Sequence, residues 1–116
     1  MPINDWSEEI VIAELTDEPA FSEELGTLTR RFETEGQRAH VILDMRGVSY
    51  LNSSNIAQLL RLRAKVTSAK KALRMCSVRD SVWGVMMVTG LDKIFEFNDD
   101  VSTALASIQL GMAGRS

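Results

Sequence analysis

Apolar residues follow two rhythms along this chain. Runs of consecutive apolar residues, such as Ile10-Val11-Ile12 and Val41-Ile42-Leu43, are separated by stretches in which apolar residues recur every three or four positions. Runs of the first kind suit strands covered on both faces, and stretches of the second kind suit amphipathic helices. The pattern predicts strands over residues 9–15, 39–45 and 73–78. It predicts four helices. The first covers residues 20–34, with Phe21, Leu25, Leu28 and Phe32 on one stripe, Pro19 in its first turn and Gly36 as its stop. The second covers residues 53–68 and buries Ile56, Leu59, Leu60 and Val66, with Leu62 beside them and Arg61 and Lys65 exposed. The third opens at Arg79-Asp80-Ser81, runs to Thr89 and is capped by Gly90. The fourth follows a cap at Asn98 or Asp99 and buries Val101, Ala104, Leu105 and Ile108. Residues 1–7 can add a short edge strand carrying Ile3 and Trp6, and residues 111–116 read as a flexible tail.

Strands alternating with helices argue parallel βαβ units. The fold class expected is therefore α/β: a mixed sheet of about four to five strands with about four helices, in one domain over residues 1–116 with its core in about 9–110. At 116 residues the chain has material for one core and not for two. The third helix is unusual. Val82, Trp83, Val85, Met86, Met87 and Val88 make it apolar almost all round, with Gly84 as a weak point. Full burial is one reading. An exposed partner-binding patch that includes Met86 or Trp83 is the other.

Composition narrows the function classes. Apolar content of 45% and charged content of 25% are those of an ordinary globular domain. No apolar run is long enough to span a bilayer, and Asp5, Glu8 and Glu9 stand where a leader would be basic and then apolar. The expectation is a cytoplasmic protein without membrane insertion. Cys76 is the only cysteine and His40 the only histidine, so a Cys/His zinc site is not available and no cofactor is expected. Cys76 reads as a small buried hydrophobe, and His40, at a strand entrance, as structural.

The net charge of −3 becomes informative once it is mapped. Residues 1–44 carry eleven acids and three basic residues, whereas residues 45–79 carry eight basic residues and no acid: Arg46, Arg61, Arg63, Lys65, Lys70, Lys71, Arg74 and Arg79. This basic block reads either as a solvated face or as a docking, phosphate-attracting surface. Direct nucleic-acid binding is not expected, because no aromatics interleave with the basic residues and the overall balance is acidic.

The candidate chemistry sits in residues 41–60. Asp44 closes a strand, a loop passes through Gly47, and a helix opens at Asn52-Ser53-Ser54-Asn55. Two hydroxyls thus stand at a helix N-terminus beyond the carboxyl end of a strand. Open α/β sheets bind ligands there, and free N–H groups favour negative charge. Plain capping is the competing reading of the same residues. A serine nucleophile would need a base. His40 lies at the far end of the neighbouring strand, about 10–15 Å away at ~3.3 Å per residue, so a triad is not formed and the chain is not expected to be an enzyme.

These residues resemble the signature of the STAS domain family, the anti-anti-sigma-factor fold. That signature has an apolar strand ending in Asp, a small apolar loop, and Asp-Ser-Ser-Gly opening a helix. Asp44 matches the strand end, Val48, Tyr50 and Leu51 the loop, and Asn52, Ser53, Ser54 and Asn55 the four signature positions. A second stretch, Val88-Thr89-Gly90-Leu91 followed by Ile94-Phe95, is also similar to the family, and the resemblance runs from about Glu9 to Ile108. It implies a regulatory binding module that is an anti-sigma factor antagonist. Its partners would be an anti-sigma factor serine kinase, which phosphorylates Ser54, and a serine phosphatase that resets it, in a partner-switching system controlling transcription. Ser53 would be a cap or neighbour. Two positions depart from the family. Asn52 replaces its Asp, and Asn55 replaces its Gly with a side chain where a kinase approaches closely. The alternative implied by other members is a non-phosphorylated scaffold in a signalling assembly, or a cytoplasmic component of a lipid or anion transport system. Monomer and weak dimer both stay open.

Overall fold

The computed structural model describes residues 3–113. In chain order the elements are β1 (Ile3–Asp5), β2 (Ile10–Thr16), α1 (Ala20–Thr34), β3 (His40–Gly47), α2 (Ser53–Ser68), β4 (Leu73–Cys76), α3 (Asp80–Thr89), a 3-10 turn (Leu91–Lys93), β5 (Glu96–Asn98) and α4 (Val101–Ala113). The sheet has the order β1-β2-β3-β4-β5. β1 is antiparallel to β2, and β2 to β5 are mutually parallel. The edge strand expected near the start is present as β1, with Ile3 buried and Trp6 largely exposed.

Strand order follows chain order, so each βαβ connection steps one strand in the same direction. Right-handed crossovers then leave α1, α2 and α3 on one face. The side chains agree. Val11, Ala13, Leu15, Val41, Leu43, Met45, Leu73 and Met75 point into the core under α1–α3. Their alternates Ile10, Ile12, Ile42 and Cys76 point to the opposite face, where α4 supplies Ala104 and Ile108. α4 covers this second face with Ala104 and Ile108. That two-sided cover explains why β2 and β3 carry unbroken apolar runs. Among the described residues, no helix is long and apolar enough to cross a membrane.

Several expectations are corrected. The buried stripe of α2 is Asn55, Leu59, Leu62 and Val66, while Ile56 is half-buried and Leu60 is 38% exposed. Packing between α1 and the sheet rotates the stripe toward Leu62. α3 is not buried all round. Val82 and Met86 are buried and Trp83 half-buried, but Met87 and Val88 are 55% and 88% exposed, because α3 lies over the edge of the sheet. β5, with three residues, was too short for its pattern to be read between α3 and α4. α4 is capped by Asp100, whose Oδ1 accepts the Thr103 N–H at 2.8 Å, and it continues to Ala113, into the segment read as a tail. The rest of that segment, residues 114–116, lies outside the described residues, as do residues 1–2 of the edge-strand segment.

Candidate functional site

The four parallel strands end at one edge of the sheet, and the four helices begin there. At this carboxyl edge Asn52 is the N-cap of α2. Its Oδ1 accepts the Asn55 N–H at 2.8 Å, and Asn55 Oδ1 accepts the Asn52 N–H at 3.1 Å, which closes a capping box. Asn55 is 1% exposed, with its side chain folded onto the helix. Ser53 and Ser54 are exposed, and among the described residues their N–H groups are the open donors of the first turn.

A polar network links this turn to α1. Asn55 Nδ2 donates to Gln58 Oε1 at 3.4 Å, and Gln58 Nε2 donates to Ser22 Oγ at 3.0 Å. The Ser22 N–H donates to Glu18 Oε1 at 2.7 Å, and the Ser22 hydroxyl to Glu18 Oε2. These bonds from Ser22, with a further one from Asn55, hold the Glu18 carboxyl below its ordinary range. A parallel clasp ties the β2–α1 and β3–α2 loops. The Ser49 N–H donates to Asp17 Oδ1 at 2.8 Å and its hydroxyl to Asp17 Oδ2, while Ser81 Oγ donates to the Ser49 carbonyl at 2.7 Å. The Ser49 hydroxyl and N–H, aided by the charge of Arg79, lower the Asp17 carboxyl. Two fixed carboxylates therefore stand at the edge that carries Ser53 and Ser54.

The loop before α2 divides its apolar residues. Val48 and Leu51 are anchored in the core, and Tyr50 is 51% exposed. Beyond Ser53, the solvent side of α2 presents Ala57, Leu60 and Ala64. The signature serines thus lie between an exposed aromatic ring and an exposed, mostly apolar helix face. Gly47 is required where β2 and β3 change register, since a Cβ there would lie 2.8 Å from the Leu15 carbonyl oxygen.

Asp44 is not part of this constellation. Strand alternation turns its side chain to the α4 face, opposite α2, where it is buried and accepts the Arg46 N–H at 3.1 Å and Arg46 Nη2 at 3.2 Å. On the same face the Cys76 thiol is pushed up to about 12, first by burial and then by the charges of Asp44 and Asp100. His40 begins β3 at the amino edge, and its Nδ1 accepts the Ala72 N–H at 2.9 Å. Half of the basic block is internal counter-charge: Arg46 pairs with Asp44, Arg61 and Lys65 with Glu33, and Arg74 with Glu96. Among the described residues, no group of three or more His, Cys, Asp or Glu side chains could hold a metal ion. Asp17, Glu18, Ser22, Ser49, Gln58 and Ser81 carry no motif that assigns them to a site; in the sequence Asp17, Glu18 and Ser81 read only as helix-start residues. They meet only because three loops converge.

A family model described as the STAS domain matches residues 8–104. Solved structures share the fold. A candidate anti-sigma factor antagonist from Thermotoga maritima superposes with a TM-score of 0.79 at 17% identity, covering 93% of each chain. The anti-sigma factor antagonist SpoIIAA in its unphosphorylated form gives 0.77 at 14% identity, covering 92% of this chain and 94% of that one. A sulfate transporter family protein from Wolinella succinogenes gives 0.73 at 21% identity, covering 87% and 85%.

Proposed function

This chain belongs to the STAS domain family, and from that premise we propose that it is a cytoplasmic, non-enzymatic regulatory module of the anti-sigma factor antagonist kind, switched by phosphorylation of Ser54. The observation that carries the reading is the setting of Ser54. It is exposed on a helix turn with open N–H donors, at the carboxyl edge of the sheet that also carries Asp17 and Glu18, and between Tyr50 and the exposed face of α2. A phosphate adds about −1.5 to −2 charges at neutral pH. The open helix N-terminus tolerates it, so the fold survives. A partner seated across Tyr50 and α2 would have to desolvate that charge at an edge that already carries two carboxylates, so binding fails. The side chains of Asn52 and Asn55 are spent on the capping box and leave Ser54 accessible. In this reading the partner is an anti-sigma factor serine kinase, and a serine phosphatase restores the binding form.

One observation favours a second reading. Asn52 and Asn55 stand where the family signature has Asp and Gly, which fits a member retired from phosphorylation and working as a scaffold or as part of a transport system. The two readings separate in a pull-down from the soluble extract of the source cells, with wild type, Ser54→Ala and Ser54→Asp run side by side and read by mass spectrometry. The switch requires an ATP-binding kinase captured by wild type and Ser54→Ala and lost with Ser54→Asp. Equal capture of one assembly by all three would establish the scaffold instead.

A further inference from the structure

The amino edge of the sheet, at the opposite end from Ser54, carries two complementary features. The first is a cavity of about 240 Å³ where α2 ends and β4 and β5 begin, with Arg63, Thr67, Lys71, Ile94 and Glu96 in its wall. Glu96 is committed to Arg74 at 2.7 Å. Arg63 and Lys71 have no acidic partner among the described residues, and Ile94 is exposed beside them. The chain leaves α2 through Lys70 at a left-handed φ of 61°. The Lys70 N–H donates to the Thr67 carbonyl at 2.9 Å and the Lys71 N–H to the Val66 carbonyl at 3.1 Å. Glycine is the usual residue at that position, and here it is a third cation without an acidic partner. The second feature is the β1–β2 loop, residues 6–9. Trp6 is 45% exposed, and Glu8 and Glu9 are exposed and have no basic partner among the described residues. The loop is held by the Ser7 N–H on the Ile10 carbonyl at 3.1 Å and by the Glu9 N–H on Ser7 Oγ at 3.1 Å.

We propose that a second copy of this chain covers this edge, with the 6–9 loop of each copy seated on the Arg63 and Lys71 cavity of the other. Each side supplies what the other lacks. The cavity offers unpaired cations beside an exposed aliphatic side chain, and the loop offers unpaired carboxylates beside an exposed aromatic ring. Opposed charges of this kind fix orientation and choice of partner, and a tryptophan is a frequent anchor of interfaces. Strand order satisfies the symmetry. The loop joins the first and second strands, and the cavity lies where the fourth and fifth begin. Both therefore stand about one and a half strand spacings, ~7 Å, from β3, on opposite sides of it. A two-fold axis normal to the sheet at the start of β3 brings each loop onto the partner's cavity, and the same contact forms twice. Nearer the axis, the α1–β3 connection carries both signs, in Glu35 and Arg38. The contact is made by short segments, so the dimer is a weak one. The carboxyl edge stays open, and the inference is independent of the Ser54 reading.

The test is sedimentation equilibrium of the full chain from micromolar to millimolar concentration. A reversible monomer–dimer equilibrium is expected, with no larger species, and added salt should weaken it. Trp6→Ala should weaken association by about tenfold or more, as loss of a central aromatic does. Two charge-reversed chains decide the pairing. Glu8→Lys with Glu9→Lys makes the loop basic, and Arg63→Glu with Lys71→Glu makes the cavity acidic. Each of these chains alone should be monomeric, because both of its contacts would join like charges. Their equimolar mixture should dimerise again, because both contacts of the mixed pair join opposite charges. Melting curves near that of wild type show that the variants are folded. A mixture that stays monomeric, or a dimer unmoved by Trp6→Ala and by both reversals, would overturn the proposal. Species that grow beyond the dimer would overturn the two-fold arrangement. A wild-type chain that is monomeric at millimolar concentration would overturn the second copy as occupant and leave the cavity to an acidic segment of another protein.

Discussion

Asn55→Ala tests whether the first turn of α2 is held as described. The substitution removes the oxygen that accepts the Asn52 N–H at 3.1 Å and the amide that reaches Gln58, at a position 1% exposed. Half of a capping box contributes about 1 kcal/mol. Leaving the Asn52 N–H and the Gln58 carbonyl short of partners costs about 1 kcal/mol more. Alanine's better helix propensity returns about 0.5 kcal/mol, for a net loss of about 1.5 kcal/mol. The unfolding entropy of about 2.1 cal/mol/K per residue gives ~0.24 kcal/mol/K over this chain, so the melting temperature should fall by about 6 °C. Asn52→Ala should lower it by about 4 °C on the cap term alone. Each bond of the box sets the backbone conformation that the other needs, so the double variant should lose less than the two singles together, by about 0.5 kcal/mol or more. Thermal and urea unfolding followed by circular dichroism measure all three. A melting temperature for Asn55→Ala within about 1 °C of wild type, or strict additivity in the double variant, would refute the reciprocal box as the lock on this turn.

Three further outcomes are expected. The Asp17 carboxyl is lowered from 3.8 by its bonds from Ser49, so its contribution is complete above that value and is lost as pH falls through the folded-state pKa. The melting-temperature gap between wild type and Ser49→Ala should thus be open near neutral pH and close below about pH 4, and a gap that stays constant through that range would reject the clasp. In α2, Leu59→Ala should cost about 2–5 kcal/mol in urea unfolding, whereas Leu60→Ala, at an exposed position, should stay within about 0.5 kcal/mol. The Cys76 thiol, pushed up to about 12, should not react with an aromatic disulfide reagent near pH 8 until the protein is unfolded by denaturant; prompt reaction of the native protein would contradict its burial.

Local pattern alone determined much of this protein. The bounds of α1 and α2, the Gly90 stop of α3 with its φ of 78°, and the double cover implied by Val41-Ile42-Leu43 all follow from periodicity and capping among near neighbours. So does the placement of Ser53 and Ser54 at a helix start. Tertiary structure decided what depends on register and convergence. Strand alternation sent Asp44 to the α4 face, away from the serines it accompanies in the signature. The position of α3 at the sheet edge exposed Met87 and Val88. The side-chain clasps of Asp17 with Ser49 and of Ser22 with Gln58 join residues 32 and 36 positions apart. The cavity between Thr67 and Ile94 exists only because the end of α2 and the start of β5 meet at the amino edge. Residues a few positions apart are related by the geometry of their own helix or strand, so their roles are written in spacing. Residues from different loops are related only by how the whole sheet packs, and no local spacing encodes that.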